Sequence, residues 1–451
     1  MGHTYDKDFF SRSTETVKPK RIVVCCDGTW QSATSVDPKH GCPSNVARLS
    51  RVLAKAGLDR EEKEWQQIVY YDADVGTGDI TAVEAARQGS QGLGLLENVL
   101  EAYNFIVSNY NKGDHLFFFG FSRGAYTVRA AAGLVQQIGI IQPYLMPAFL
   151  ERYGKFIRAE NFSKPFTQTE YWTDFMAKSQ NPLISPAKDI IIQVIGVWDT
   201  VGSLGVPDLG HWLKKDNSNW RKAYQFYDTD LSSSDKNPAG DREQLASITY
   251  AWMLDRVRPY LALNEDALAA QLAEIEATLR NPAEATTATA WEHAQDWVWG
   301  KVEDSYTMMY KFFGSPADRT PRQYHPRETG YTVERVHPTV HFRQQYHREL
   351  QSAKKSQKVY EPAAMHGWER VKEEHGYGKD LQERKGWMWI KYKKDTGGKR
   401  VLDATGKPVV ERSMWEFEIG DMPENKSVER WLINRSWKVQ EYYDDVKQGW
   451  N

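Results

Sequence analysis

His115-Leu116-Phe117-Phe118-Phe119-Gly120-Phe121-Ser122-Arg123-Gly124-Ala125-Tyr126 is the stretch on which the reading of this chain turns. Leu116 to Phe119 is an unbroken apolar run, the pattern of a strand covered on both faces. From Ala125 to Val135 the chain carries alanines at helical spacing. Between them lies Gly120-Phe121-Ser122-Arg123-Gly124, a G-x-S-x-G pentapeptide. With a strand before it and a helix after it, this pattern reads as a nucleophile elbow. A sharp bend raises the Ser122 hydroxyl at the carboxyl end of the sheet, and Gly120 and Gly124 remove Cβ atoms that would collide there. The helix amino terminus, with backbone N–H groups near Arg123, would stabilise an oxyanion. The plainer alternative is a tight turn whose serine only caps the helix.

Outward from that stretch, strands and helices alternate. Arg21 to Cys26 reads as a central strand ending in the turn Asp27-Gly28-Thr29-Trp30, whose Asp27-Gly28 part is a second candidate oxyanion element. Asn45 to Leu53 has helical spacing, and Gln67 to Tyr71 reads as a strand entering Val75-Gly76-Thr77-Gly78. No G-x-x-x-x-G-K-[ST] pattern accompanies that glycine turn, so a nucleotide loop is not supported. Leu96 to Tyr110 reads as an amphipathic helix and 143–187 as an aromatic-rich helical stretch. Ile190 to Trp198 reads as another strand buried on both faces, delivering Asp199 at its carboxyl end. A carboxylate there follows the serine in the chain order of a Ser…Asp…His triad, yet an aspartate turning the chain at a strand end fits the residues equally well. The pattern predicts a doubly wound, mostly parallel α/β sheet with helical insertions.

The chain has 451 residues, 13% of them aromatic, and a net charge of -2. That length exceeds a single core, and the charge gives no support to nucleic-acid binding. The expected divisions are a loose arm at 1–19, the α/β domain at 20–260, a helical insertion returning to the core at 261–343, and an accessory region at 344–451. In that last region 344–386 is charge-dense and reads as solvated helices and loops. Trp387 to Val410, with turns at Thr396-Gly397 and Thr405-Gly406-Lys407, suggests a small β-meander, giving the accessory part an α+β character. No internal repeat is evident. Three cysteines make no disulfide framework, Met1 to Asp6 holds no apolar leader, and no apolar run reaches ~18 residues. These features predict a cytoplasmic protein that touches membranes peripherally at most. No cofactor is implied, and no close His/Cys/Asp cluster has metal-ligand spacing.

Val23 to Trp30, Ser44 to Leu49, Val75 to Gly78, Gly120 to Tyr126 and Gly196 to Gly202 occur in this order, and together they resemble the type VI secretion phospholipase effectors and their uncharacterised fungal relatives. The resemblance covers about residues 20–260 and implies an α/β-hydrolase fold and a serine hydrolase of carboxylic esters, phospholipids included. It makes Ser122 the nucleophile and favours Asp199 as the acid. The family's histidine-bearing stretch has no counterpart: Tyr224 to Ser232 leads through Ser233 to Asp241 directly into the helix from Leu245, and no histidine occurs between His211 and His293. His337, after the acid in chain order, is the substitute candidate for the base, ahead of His341, His325 and His211. His115 precedes its strand and stands at the wrong end. A second expectation follows, a catalytically impaired relative acting as a binding or interaction module.

Overall fold

The computed structural model describes residues 18–28, 43–59, 61–73, 93–158, 164–198, 245–279, 321–322, 334–353, 360–375, 383–417 and 427–433. Among the expectations above, those on 1–17, Thr29-Trp30, Val75 to Gly78, Asp199 to Asp241, His293 and His325 lie outside the described residues.

A mostly parallel sheet forms the centre. β1 (Lys20–Cys26) leads to α1 (Asn45–Val52), then β2 (Ala56–Leu58) and β3 (Glu64–Asp72). α2 (Leu93–Asn109) leads to β4 (His115–Phe121) and α3 (Arg123–Ile138). β5 (Ile140–Ile141), α4 (Met146–Arg158), α5 (Glu170–Met176) and β6 (Leu183–Ser185) precede β7 (Ile191–Trp198). The strand order is β2-β3-β1-β4-β7, with β3, β1, β4 and β7 parallel and β2 antiparallel to β3. The architecture is therefore mixed α/β, as the alternation of elements predicts. β1 and β4 are covered on both faces, which is why their residues run apolar without alternation.

Two apolar clusters sandwich that sheet. Val24, Phe118, Val128 and Phe149 belong to one, and Val23, Phe117, Leu254 and Phe342 to the other. Cys25 and Cys26 lie within β1 and are buried, and burial pushes the Cys25 thiol well up from its ordinary pKa. On the second face α6 (Leu245–Val257) runs beside α1, followed by α7 (Glu265–Leu279). Their contact is polar where α1 begins: Asn45 Nδ2 donates to Ala246 O at 2.9 Å and Arg48 NH1 to Ser247 Oγ at 3.1 Å. Arg48 also lies 4.3 Å over the Tyr250 ring.

Two readings of strands need correction. β7 is apolar in sequence but not covered on both faces: Ile191 and Ile195 are 46% and 47% exposed, because β7 ends the sheet among the described residues. Residues 344–386 are not only solvated helices and loops. α8 (Thr339–Ala353) is followed by β8 (Trp368–His375), which pairs antiparallel with β9 (Glu383–Tyr392), itself paired with β10 (Val410–Trp415). Charge disguised β8 because Arg370 is inside: it binds both oxygens of buried Glu416, at 2.6 and 2.7 Å, and lies 3.8 Å over Trp387. α9 (Val428–Ile433) closes the described residues, its amino end capped by Asp255 from α6 through Ser427 Oγ and the Val428 and Glu429 N–H groups.

The two turns expected near 396 and 405 share one geometry. Asp395-Thr396-Gly397-Gly398-Lys399 and Asp403-Ala404-Thr405-Gly406-Lys407 fold alike. In each, the aspartate N–H donates to the lysine carbonyl at 2.8 Å, and the second-last glycine has φ near +80°. Lys393, Val401 and Val409 join the two turns in a ring, each N–H donating to the carbonyl of another member at 2.8 to 2.9 Å.

Candidate active site

β4 ends at Phe121 and α3 begins at Arg123, so Ser122 alone makes the bend. Its backbone stands at φ 52° and ψ −118°, a left-handed conformation that costs an L-residue about 1–3 kcal/mol. Neighbours hold it there. The Ser122 N–H donates to Trp198 O of β7 at 3.0 Å, and the Tyr126 N–H reaches Ser122 O at 3.4 Å. The helix is close against the sheet: a Cβ on Gly124 would lie 2.2 Å from Cys26 O, and one on Gly120 would lie 2.5 Å from Gly124 O. Only glycine fits either place.

The Ser122 side chain makes no capping hydrogen bond to its helix. The plainer reading of the motif required that bond. The residue is partly exposed, as is Arg123 beside it.

The turn after β1 lies against this bend. A Cβ on Gly28 would come within 3.0 Å of Ser122 Cβ. Asp27 is fully buried, and among the described residues its carboxylate accepts from its neighbour Gly28 and from two distant hydroxyls. Oδ1 accepts the Gly28 N–H at 2.8 Å, while Oδ2 accepts Ser44 Oγ at 2.5 Å and Tyr71 Oη at 2.7 Å. Ser44 in turn caps α1 by accepting the Ala47 N–H at 3.0 Å. Asp27 thus ties the ends of β1 and β3 to the start of α1, beside the serine. The Gly28 N–H, expected as an oxyanion donor, is engaged by Asp27 in this arrangement. Ser44 and Tyr71 were not legible as partners of Asp27, since they are 17 and 44 residues away.

His337 sits between α8 and α9. Its Nδ1 lies 2.8 Å from Thr339 Oγ1 and its Nε2 lies 2.6 Å from Glu429 Oε1, so both ring nitrogens are engaged. The ring stacks on Phe417 at 6.2 Å, and Phe417 meets Trp252 of α6. Glu429 follows the Asp255 cap, in the last turn of α6. Ala246, in the first turn, touches Asn45 next to Ser44 and Asp27. Ala246 and Asp255 are nine positions apart along the helix, about 13 Å of rise. His337 is thereby joined through Glu429 to the end of α6. His341 is half-buried, and burial, then the charges of Arg370 and Arg348, push it down to about 4. His115 begins β4 against Trp65, its pKa lowered by burial, then by Arg21 and Lys63. Among the described residues no group of three or more His, Cys, Asp or Glu could hold a metal ion. None of the described helices is long and apolar enough to cross a membrane.

The class the fold defines is a mixed α/β domain, whose mostly parallel sheet presents a strained serine between β4 and a buried helix. Residues 20–240 match the model of the family described as T6SS, Phospholipase effector Tle1-like, catalytic domain, which bears out the resemblance drawn from the motifs over that stretch. Over 207 residues the chain is 26% identical to the Uncharacterized protein YEL023C of Saccharomyces cerevisiae, covering 43% of this chain and 28% of that protein. The chain thus spans little more than a quarter of the curated relative it matches. No solved structure matches.

Proposed function

We propose that the protein is a serine hydrolase of carboxylic esters, acting on phospholipids or other lipid esters in the cytoplasm. Ser122 is the nucleophile, Asp199 the acid, and the Arg123 N–H at the start of α3 an oxyanion donor. The observation that carries this reading is the left-handed backbone of Ser122 with its side chain free of any capping bond, inside the stretch that matches a phospholipase catalytic domain. Asp199 follows in sequence the very residue, Trp198, whose carbonyl accepts the Ser122 N–H. The Gly28 N–H joins the oxyanion hole only on leaving Asp27 Oδ1, so substrate binding would have to break that bond. The buried thiols of Cys25 and Cys26, joined in no disulfide, suit a reducing compartment.

A second reading has its own support: His337, the candidate base, is engaged by Glu429 and Thr339. In that reading the fold persists as an interaction module with no base at Ser122. A fluorophosphonate probe on the folded protein separates the two. Labelling that disappears in Ser122→Ala supports the hydrolase, and absence of labelling in the native protein supports the module. Labelling that survives in His337→Gln assigns the base to another residue.

A further inference from the structure

The paired turns at 395–407 carry a charge that their architecture does not need. Between Lys391 and Lys407 stand six cations, Lys391, Lys393, Lys394, Lys399, Arg400 and Lys407, against two carboxylates, Asp395 and Asp403, for a local net charge of +4 in a chain whose total is -2. Both carboxylates are turned back onto the turns. Asp395 Oδ1 accepts the Gly397 and Lys399 N–H groups at 2.9 Å, and Asp403 Oδ1 accepts those of Thr405 and Lys407 at 2.8 and 3.0 Å. Arg400 is held by Glu369 and lies 4.6 Å over Tyr392. Lys393, Lys394, Lys399 and Lys407 are exposed, and none of the four forms an ion pair among the described residues. Leu402, in the link between the turns, is 58% exposed.

We propose that this double turn is a docking surface for an anionic lipid bilayer, its lysines meeting the headgroups and Leu402 entering the interface. Two features favour lipid over another polyanion. The tip presents an aliphatic side chain among the lysines, as an interfacial anchor requires. Its ring, Tyr392, lies beneath Arg400 rather than open for stacking on a base. The ring of hydrogen bonds through Lys393, Val401 and Val409 holds the tip in shape, so docking orders little additional chain. The inference concerns a surface on the carboxyl-terminal sheet and stands without the ester-hydrolase reading, since docking is measured with no turnover.

The test is co-sedimentation of the full chain with phosphatidylcholine vesicles with and without phosphatidylserine, at low and high salt. Binding is expected only with phosphatidylserine and is expected to fall at high salt. The double variant Lys399→Gln/Lys407→Gln should partition about 25-fold more weakly, at about fivefold for each lysine. Leu402→Ser should weaken partitioning several-fold with charge unchanged. All three positions are exposed, and a circular dichroism spectrum matching that of the native chain shows that the fold is kept. Equal binding to uncharged vesicles, undiminished binding by the lysine variant, or unchanged binding by Leu402→Ser overturns the proposal. So does retention by duplex DNA that is as tight as retention by phosphatidylserine vesicles.

Discussion

Replacing Ser122 by alanine and by glycine distinguishes a strained bend from a helix cap. Where a serine caps its helix, losing the hydroxyl costs about 1 kcal/mol. Here the side chain makes no capping bond, so Ser122→Ala should change stability by less than ~0.5 kcal/mol. The backbone at φ 52° and ψ −118° tells the other half. Strain of about 1–3 kcal/mol is relieved by glycine, against about 0.5–1 kcal/mol of extra unfolded-state entropy. Ser122→Gly should therefore be more stable than the native protein by about 1 kcal/mol. Urea denaturation followed by tryptophan fluorescence measures both, and fluorophosphonate labelling should vanish in both. A loss of ~1 kcal/mol in the alanine variant with no gain in the glycine variant would show a capped, unstrained turn and refute the reasoning.

Further outcomes follow from the surroundings of that bend. Gly124→Ala drives a methyl to 2.2 Å from Cys26 O and 2.3 Å from Asp27 O, and should cost about 3 kcal/mol or more in urea denaturation. Gly113→Ala, at φ 99° in open space, should cost about 1–2 kcal/mol, and equal losses would defeat the argument from close approach. Asp27→Asn replaces an oxygen that accepts two hydroxyls by an amide donor, or else leaves the Gly28 N–H facing one; the expected cost is about 2–3 kcal/mol, against about 1 kcal/mol for Tyr71→Phe. His341 stays neutral in the folded chain down to about pH 4, while the unfolded chain takes up a proton near its ordinary pKa of about 6.5. Its contribution is thus intact above pH 6.5 and shrinks as pH falls toward 4, by about 3 kcal/mol in all. His341→Gln should flatten the stability profile in that window, and an unchanged profile would place the titration elsewhere.

The sheet was legible where residues are covered on both sides. β1 and β4 are such strands, and their apolar runs mark them. β7 has the same composition, and composition does not reveal which strand ends a sheet, so the exposure of Ile191 and Ile195 was hidden. β2 is three residues long around Gly57 and takes its identity from pairing with β3. β8 was obscured because Arg370 fills an inner position that an apolar residue would have marked, its charge met by Glu416. At the candidate site the bend between β4 and α3 was readable, since strand, turn and helix are contiguous. The Asp27 cluster was not, because Ser44 and Tyr71 reach it only once β1 and β3 are side by side.

The adjacent thiols of β1 give the protein a built-in clock. Cys25 and Cys26 are in the middle strand of the sheet, paired to β3 on one side and β4 on the other. An alkylating reagent can reach them only when that strand separates from its neighbours. Modification of this pair, counted by mass against time, would follow the opening of the molecule's centre while fraying elsewhere went unrecorded.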